Sequence, residues 1–249
     1  MKSVASRAER KQSNSKPRAK ETEAPRKRGA YVSDLMIERR RRLIEITKAM
    51  IAEKGADGFT IRELTERAQI SITLVYSAYG DKEGLVAAAI QDFYETLPTA
   101  QRRTPKTLRS VLAQVDEAAE VILANAAYAG SLADLYFSRT VDPRVYLAIR
   151  NIAIRRFGPW LEHTIAKKGV VSGLSLEMVY SILANEPWSV IFDWARGRIG
   201  DRDLAMVMKT TFLVTASGVT TGPAQAELQR ALRKIARNAG RGVPPTQDR

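Results

Sequence analysis

The 249-residue chain contains no cysteine and one histidine, His163. Disulfides and thiolate metal sites are therefore excluded, and so is a histidine-rich zinc site. No apolar run approaches the roughly 20 residues of a membrane span. The apolar stretch Leu85–Ile90 is short and flanked by polar residues. No apolar stretch follows the basic start Met1–Arg7, so a secretory signal is not expected. Signatures of catalysis are missing too. There is no glycine-rich phosphate loop after a strand, no His-Glu-x-x-His and no Gly-x-Ser-x-Gly elbow. Asp201 and Asp203 sit at an expected helix start, where the helix dipole accounts for them. A cytoplasmic protein that is not an enzyme, with no metal and no cofactor, is expected.

Negative charge is also in short supply. Forty Lys and Arg face 27 Asp and Glu, a net +13. Residues 1–30 carry ten basic and three acidic residues, and residues 221–249 carry six and two. Residues 31–90 are balanced at nine each, with Arg39–Arg42 clustered at one end. The excess thus lies mainly in the two ends. Such a balance favours nucleic acid as partner, with solubilising ends as the alternative.

Apolar residues recur at helical spacing through most of the chain, and no convincing β-strand is found, so an all-α fold is expected. Residues 59–85 are the most informative. Thr60 and Glu63 form a capping-box pattern, and Phe59 and Leu64 a hydrophobic staple. Ile61, Leu64 and Ala68 make one apolar face. The chain turns at Gln69-Ile70, and Ser71 is placed to cap a second short helix. In that helix Val75 and Tyr79 face inward. Gly80 suits a left-handed helix end, and Asp81 can cap the next helix. Two short helices joined by a tight turn make a helix-turn-helix, which places its second helix in the DNA major groove.

From Arg39 to about Leu97 the chain resembles the DNA-binding domain of the tetracycline-repressor (TetR) family. The resemblance rests on a first helix over 41–55, on Phe59–Leu64, and on Val75-Tyr76-x-x-Tyr79-Gly80-Asp81-Lys82-Glu83-x-Leu85. Departures fall at Gln69, where the family usually has Gly, and at Leu74 and Ala78, where it often has Thr and His. The resemblance implies an N-terminal three-helix helix-turn-helix domain plus a C-terminal helical ligand-binding and dimerisation domain.

Four segments are expected. Residues 1–30 read as a disordered basic arm, whose Arg26-Lys27-Arg28 could enter a minor groove. Residues 31–97 hold the DNA-binding domain and a connecting helix with Leu85, Ala89 and Phe93 on one face. A polar loop with Gln101-Arg102-Arg103 follows. Residues 98–221 form the effector-binding and dimerisation domain, with helices near 105–126, 131–139, 142–168, 175–196 and 201–220. Asp142 caps the third of these, with Pro143 at its first position; Pro159 and Pro187 interrupt the third and fourth. Residues 222–249 form a basic amphipathic helix near 227–237, and a tail.

The DNA-contacting residues expected are Thr60, Arg62, Ile72, Thr73, Leu74, Tyr76, Ser77 and Lys82. Thr60 suits phosphate at a helix N-terminus, and Arg62 a base edge or phosphate. Ile72, Thr73, Leu74 and Ser77 are expected on the outward face, where methyl groups can read thymine. Tyr76 and Lys82 match family positions that contact the phosphate backbone. For an effector, the strongest candidates are Tyr136, Arg139, Arg150, Trp160 and Trp188, with Asn125, Tyr128, Tyr146, His163 and Asn185 as further polar groups on apolar helices. The resemblance implies a homodimer on a palindromic double-stranded operator, with the last two core helices at the interface. It implies a repressor released by a largely apolar small molecule. An activator or a ligand-independent regulator is the alternative. A basic module binding a membrane surface or an acidic protein through its ends is the remote one.

Overall fold

The computed structural model describes residues 26–96, 106–167 and 169–240. Among these the chain forms ten helices and no strand, apart from one antiparallel bridge between Val170 and Thr220. The readings of residues 1–25, of the 97–105 loop and of the tail from 241 lie outside the described residues. The chain divides into two units, residues 1–38 and 39–249. In the first unit, helix α1 (Arg26–Lys54) already begins at Arg26, so residues 26–30 are helical where a disordered arm was expected.

In the second unit, α1 continues with Leu43, Thr47, Met50 and Ile51 buried on one face. The Thr47 hydroxyl donates to the Leu43 carbonyl at 2.7 Å, which satisfies the one polar group on that face. Helices α2 (Ile61–Ala68) and α3 (Ile72–Tyr79) pack here through Leu64, Ala68 and Val75. Thr60 caps α2, accepting the Glu63 amide at 3.2 Å. Glu63 pairs with Lys54. Ser71 precedes α3 but makes no capping bond with its side chain, contrary to expectation.

Gln69 ends α2 at φ 54°, the left-handed region. Its amide bonds the Glu66 carbonyl, and the Ile70 amide bonds the Thr65 carbonyl at 3.1 Å. That is the Schellman arrangement, for which glycine is the usual residue. The departure from the family at this position is therefore a departure in backbone comfort, with the geometry kept.

Helix α4 (Lys82–Thr96) follows two residues after α3 ends. A Cβ on Gly84 would lie 2.1 Å from the Tyr79 carbonyl oxygen, so glycine alone allows this close approach of α4 to the end of α3. Beyond it come α5 (Leu108–Ala124), α6 (Ala126–Tyr136), α7 (Pro143–Ala166), α8 (Leu176–Ala195), α9 (Leu204–Val219) and α10 (Gly222–Gly240). Helix α6 begins five residues earlier than expected, immediately after Asn125, and α10 also begins five residues early. Asp142 caps α7 as expected, accepting the Arg144 amide at 2.8 Å. Pro159 and Pro187 both lie inside continuous helices. No helix among the described residues is long and apolar enough to cross a membrane.

A left-handed residue with a side chain costs roughly 1–2 kcal/mol, of which glycine's extra unfolded-state freedom returns roughly half. Gln69→Gly is therefore expected to stabilise the chain by about 0.5–1 kcal/mol. Gly84→Ala should destabilise it through the clash with Tyr79. Denaturant midpoints measure both, and a less stable Gln69→Gly would contradict the account of this turn.

Candidate nucleic-acid interface and ligand cavity

Helix α3 has eight residues, and its 100° rotation per residue divides them cleanly. Ile72, Thr73, Tyr76 and Ser77 are exposed, with Ile72 at 44% and Tyr76 at 52%. Leu74, Val75, Ala78 and Tyr79 face the protein. Leu74 is only 9% exposed, which corrects its expected place on the outward face. The reason is angular: Leu74 shares a face with Ala78, four residues on, and Val75 is its immediate neighbour on that face. The outward face thus combines hydroxyls and methyls, with no charge of its own.

Charged residues lie on other elements of this unit. Thr60 is exposed at the N-terminus of α2. Arg62 is exposed and pairs with Glu66 at 3.0 Å, one turn away. The Lys82 ammonium lies 4.7 Å from the centre of the Phe59 ring, a cation–π contact at the start of α4. On α1, Arg39, Arg40, Arg41 and Arg42 are exposed. Arg67 instead makes a two-pronged pair with Glu53, at 2.6 and 2.7 Å, which ties α2 to α1. The Asp81 carboxylate accepts the Gly84 amide at 2.8 Å and the Arg144 guanidinium at 2.9 Å. Those bonds hold its carboxyl below the usual range, Arg144 contributing most.

A cavity of about 80 Å³ lies among α4–α9. Phe93 and Tyr94 from α4, Val111 and Val115 from α5, and Phe157 and Met208 from α7 and α9 give it an apolar wall. Phe93 and Tyr128 rings meet at 4.8 Å. Of the five strongest effector candidates, only Trp188 lines this cavity. Tyr136 stacks between Tyr146 and Trp188, with centroids at 5.1 and 5.7 Å, and donates its hydroxyl to Asn185 at 2.5 Å. Trp160 packs edge-on against Phe212 and lines a separate outer pocket with His163. Arg150 is taken by Glu177 at 2.7 Å and Ser181 at 3.1 Å. Arg139 is exposed between helices. These four lie away from this cavity. Arg150 faces the start of α8, where an acid complements it, and Arg139 follows the end of α6.

The polar groups that do line the cavity are Asn125, Tyr128, Arg156, Glu186 and the Trp188 indole. Arg156 and Glu186 went unrecognised in the sequence, although each sits amid apolar residues at helical spacing, the one available signal. Thr211 donates its hydroxyl to Glu186. Burial nevertheless pushes the Glu186 carboxyl up to about 7. Burial likewise raises Tyr128 and lowers Arg156, the latter opposed by nearby Tyr94 and Glu117.

Comparison with known proteins finds likeness in the helix-turn-helix segment and in the fold. Residues 43–89 match the family model described as bacterial regulatory proteins, tetR family. An HTH-type transcriptional regulator BetI from Burkholderia ambifaria is 39% identical over 67 residues. That stretch is 26% of this chain and 34% of BetI, so the chain spans about a third of the length of the curated relatives it matches. Among solved structures, full-length tylp, a TetR regulator from Streptomyces fradiae, matches with TM-score 0.54 and 18% identity, over 86% of this chain and 94% of its own. FadR from Bacillus subtilis, solved with stearoyl-CoA, matches with TM-score 0.51 and 14% identity, over 72% and 98%. At these identities the structural matches establish the fold.

The raised Glu186 carboxyl has a measurable consequence. Its folded value lies above the ordinary 4.5, so the folded chain binds more protons between about 4.5 and 7. Stability is full below that window and falls as pH rises through it. Glu186→Gln should remove this loss, leaving the variant more stable than the parent at pH 8 by on the order of 3 kcal/mol and similar at pH 4.5. Melting temperatures across pH 4.5–8 test it; a constant offset would rule out the titration.

Proposed function

We propose that this chain, which belongs to the TetR family of bacterial regulatory proteins, is a dimeric transcriptional repressor whose hold on DNA is released by a small molecule in the α4–α9 cavity. The observation that carries the reading is the position of α4. Its first turn abuts the recognition helix at Gly84, and its last turn supplies Phe93 and Tyr94 to the cavity wall. One helix of 15 residues therefore joins both places, a span of about 22 Å. The Asp81–Arg144 pair fastens its start to α7, which also lines the cavity. A ligand that favours a different α4 position shifts the population away from the DNA-binding form.

In this reading Ile72, Thr73 and Ser77 meet base edges, with Arg62 able to leave Glu66 for a base or phosphate. Thr60, Tyr76 and Lys82 hold the phosphate backbone, supported by the exposed arginines of α1. Leu74 packs and reads nothing.

The dimer is supported by two exposed stripes. On α8, Met178, Ile182, Asn185 and Ser189 are exposed, and on α9, Met206, Val214 and Gly218. Met178 is 51% and Val214 54% exposed, high for apolar residues. Gly218 has open space beside it, which lets a second backbone approach. Two helices from each copy would bury these stripes in a four-helix interface. The same dimer sets two recognition helices about one DNA turn apart, ~34–36 Å.

Two experiments check the reading. Footprinting should show protection of a near-palindrome. Lys82→Ala and Tyr76→Phe should weaken binding to all sequences alike, with the salt slope reduced by about 1 for Lys82→Ala, whereas Thr73→Ala should change base preference. Asymmetric protection, or a Lys82→Ala effect confined to sequence preference, would refute the assigned roles. Separately, Ile182→Glu with Val214→Glu should give a folded monomer by sedimentation and abolish tight operator binding. A variant that remains dimeric would remove α8 and α9 from the interface.

A further inference from the structure

Three hydrogen-bond donors on three helices reach the cavity without a partner: Arg156 Nε on α7, Tyr128 Oη on α6 and Trp188 Nε1 on α8. All three atoms are closed to solvent. Buried polar groups in native interiors are satisfied in the great majority of cases, so three unsatisfied donors in one wall call for an acceptor. The guanidinium adds a full positive charge in fixed planar geometry, which suits a carboxylate. Arginine keeps its charge at neutral pH even when buried. Apart from Asn125 and Glu186, the remaining wall is aromatic and aliphatic.

We infer that the effector is an apolar molecule ending in a carboxylate, with its head on Arg156 and its body along the apolar wall. This rests on the effector-regulated reading above, but it concerns ligand binding alone and is read without DNA. Tyr128 is held in its neutral, donating form by burial, so it can serve the same head group. The opposing features are Glu186, the acid among the lining residues, and Glu117 on α5, whose carboxylate acts on Arg156 from nearby. The Glu186 carboxyl accepts a bond from Thr211, and burial keeps much of it protonated near neutrality. A protonated Glu186 does not cancel Arg156. An ionised one would instead favour an amine, which gives the rival ligand for the test. At about 80 Å³ the cavity is below the ~300–1,000 Å³ of occupied ligand pockets, so binding must widen it.

The test is calorimetric titration of the full chain, without DNA, using octanoate, 1-octanol and octylamine, which share one apolar tail. Octanoate is expected to bind at least tenfold more tightly than octanol, with octylamine weaker still. Arg156→Gln should bring octanoate down to octanol, and Tyr128→Phe with Trp188→Phe should narrow the preference. Equal binding of octanoate and octanol, or tightest binding of octylamine, overturns the inference. So does an Arg156→Gln variant that melts like the parent and keeps the preference. If Arg156→Gln does not fold, the double phenylalanine variant decides: a narrowed preference supports the inference, an unchanged one overturns it. Operator binding without octanoate binding sinks this inference alone. Octanoate binding without operator binding sinks the regulatory reading and leaves the ligand class standing.

Discussion

Asp81 performs two tasks with one carboxylate. One oxygen accepts the Gly84 amide and starts α4; the other accepts Arg144 from the first turn of α7. The absent side chain at Gly84 lets the same turn lie against the end of α3. The placement of α3 is thus tied to the start of α4, and the start of α4 to a contact with α7. The pair is solvent-exposed, so it contributes little to overall stability. Its effect is directional. It ties the start of α4 to the first turn of α7, so a shift of either helix would break the pair.

The DNA-binding face was legible because its signals are local. Capping at Thr60, the turn at Gln69 and the apolar spacing of Leu64, Ala68 and Val75 act within a few residues, and each is written in adjacent sequence. Leu74 shows the limit. In an eight-residue helix the boundary between inward and outward faces falls within one residue's rotation, and composition does not decide which side a leucine takes. The early start of α10 has a similar origin: Gly222 and Pro223 read as a break, while proline in a first turn lacks only an amide that would have no partner there.

The cavity was not legible, since helical periodicity separates buried from exposed and says nothing about which buried residues meet a void. Arg139 and Arg150 were placed as ligand partners by residue type, but an exposed loop and a nearby Glu177 claim them. Arg156 and Glu186 line one cavity only because α7 packs against α8. Trp160, beside Pro159, and Trp188, beside Pro187, look equivalent in sequence. Only the second lines the α4–α9 cavity; Trp160 is buried against Phe212 instead, a difference that packing of the two continuous helices decides.

A wall that carries an arginine, a carboxyl and unsatisfied donors is a poor core. Apolar residues of equal volume would hold these helices together at least as well. The arrangement is therefore costly to the empty chain, and a bound ligand relieves that cost by supplying the missing acceptors. A ligand shifts the equilibrium only through its difference in affinity between the two forms. In the proposed switch the difference has a structural source: at about 80 Å³ the cavity must widen to take a ligand, and the walls that would move include Phe93 and Tyr94 on α4. Differential binding of about 1–3 kcal/mol, the usual scale of coupling between sites, needs only one charge-assisted bond made in the open form and absent in the closed one.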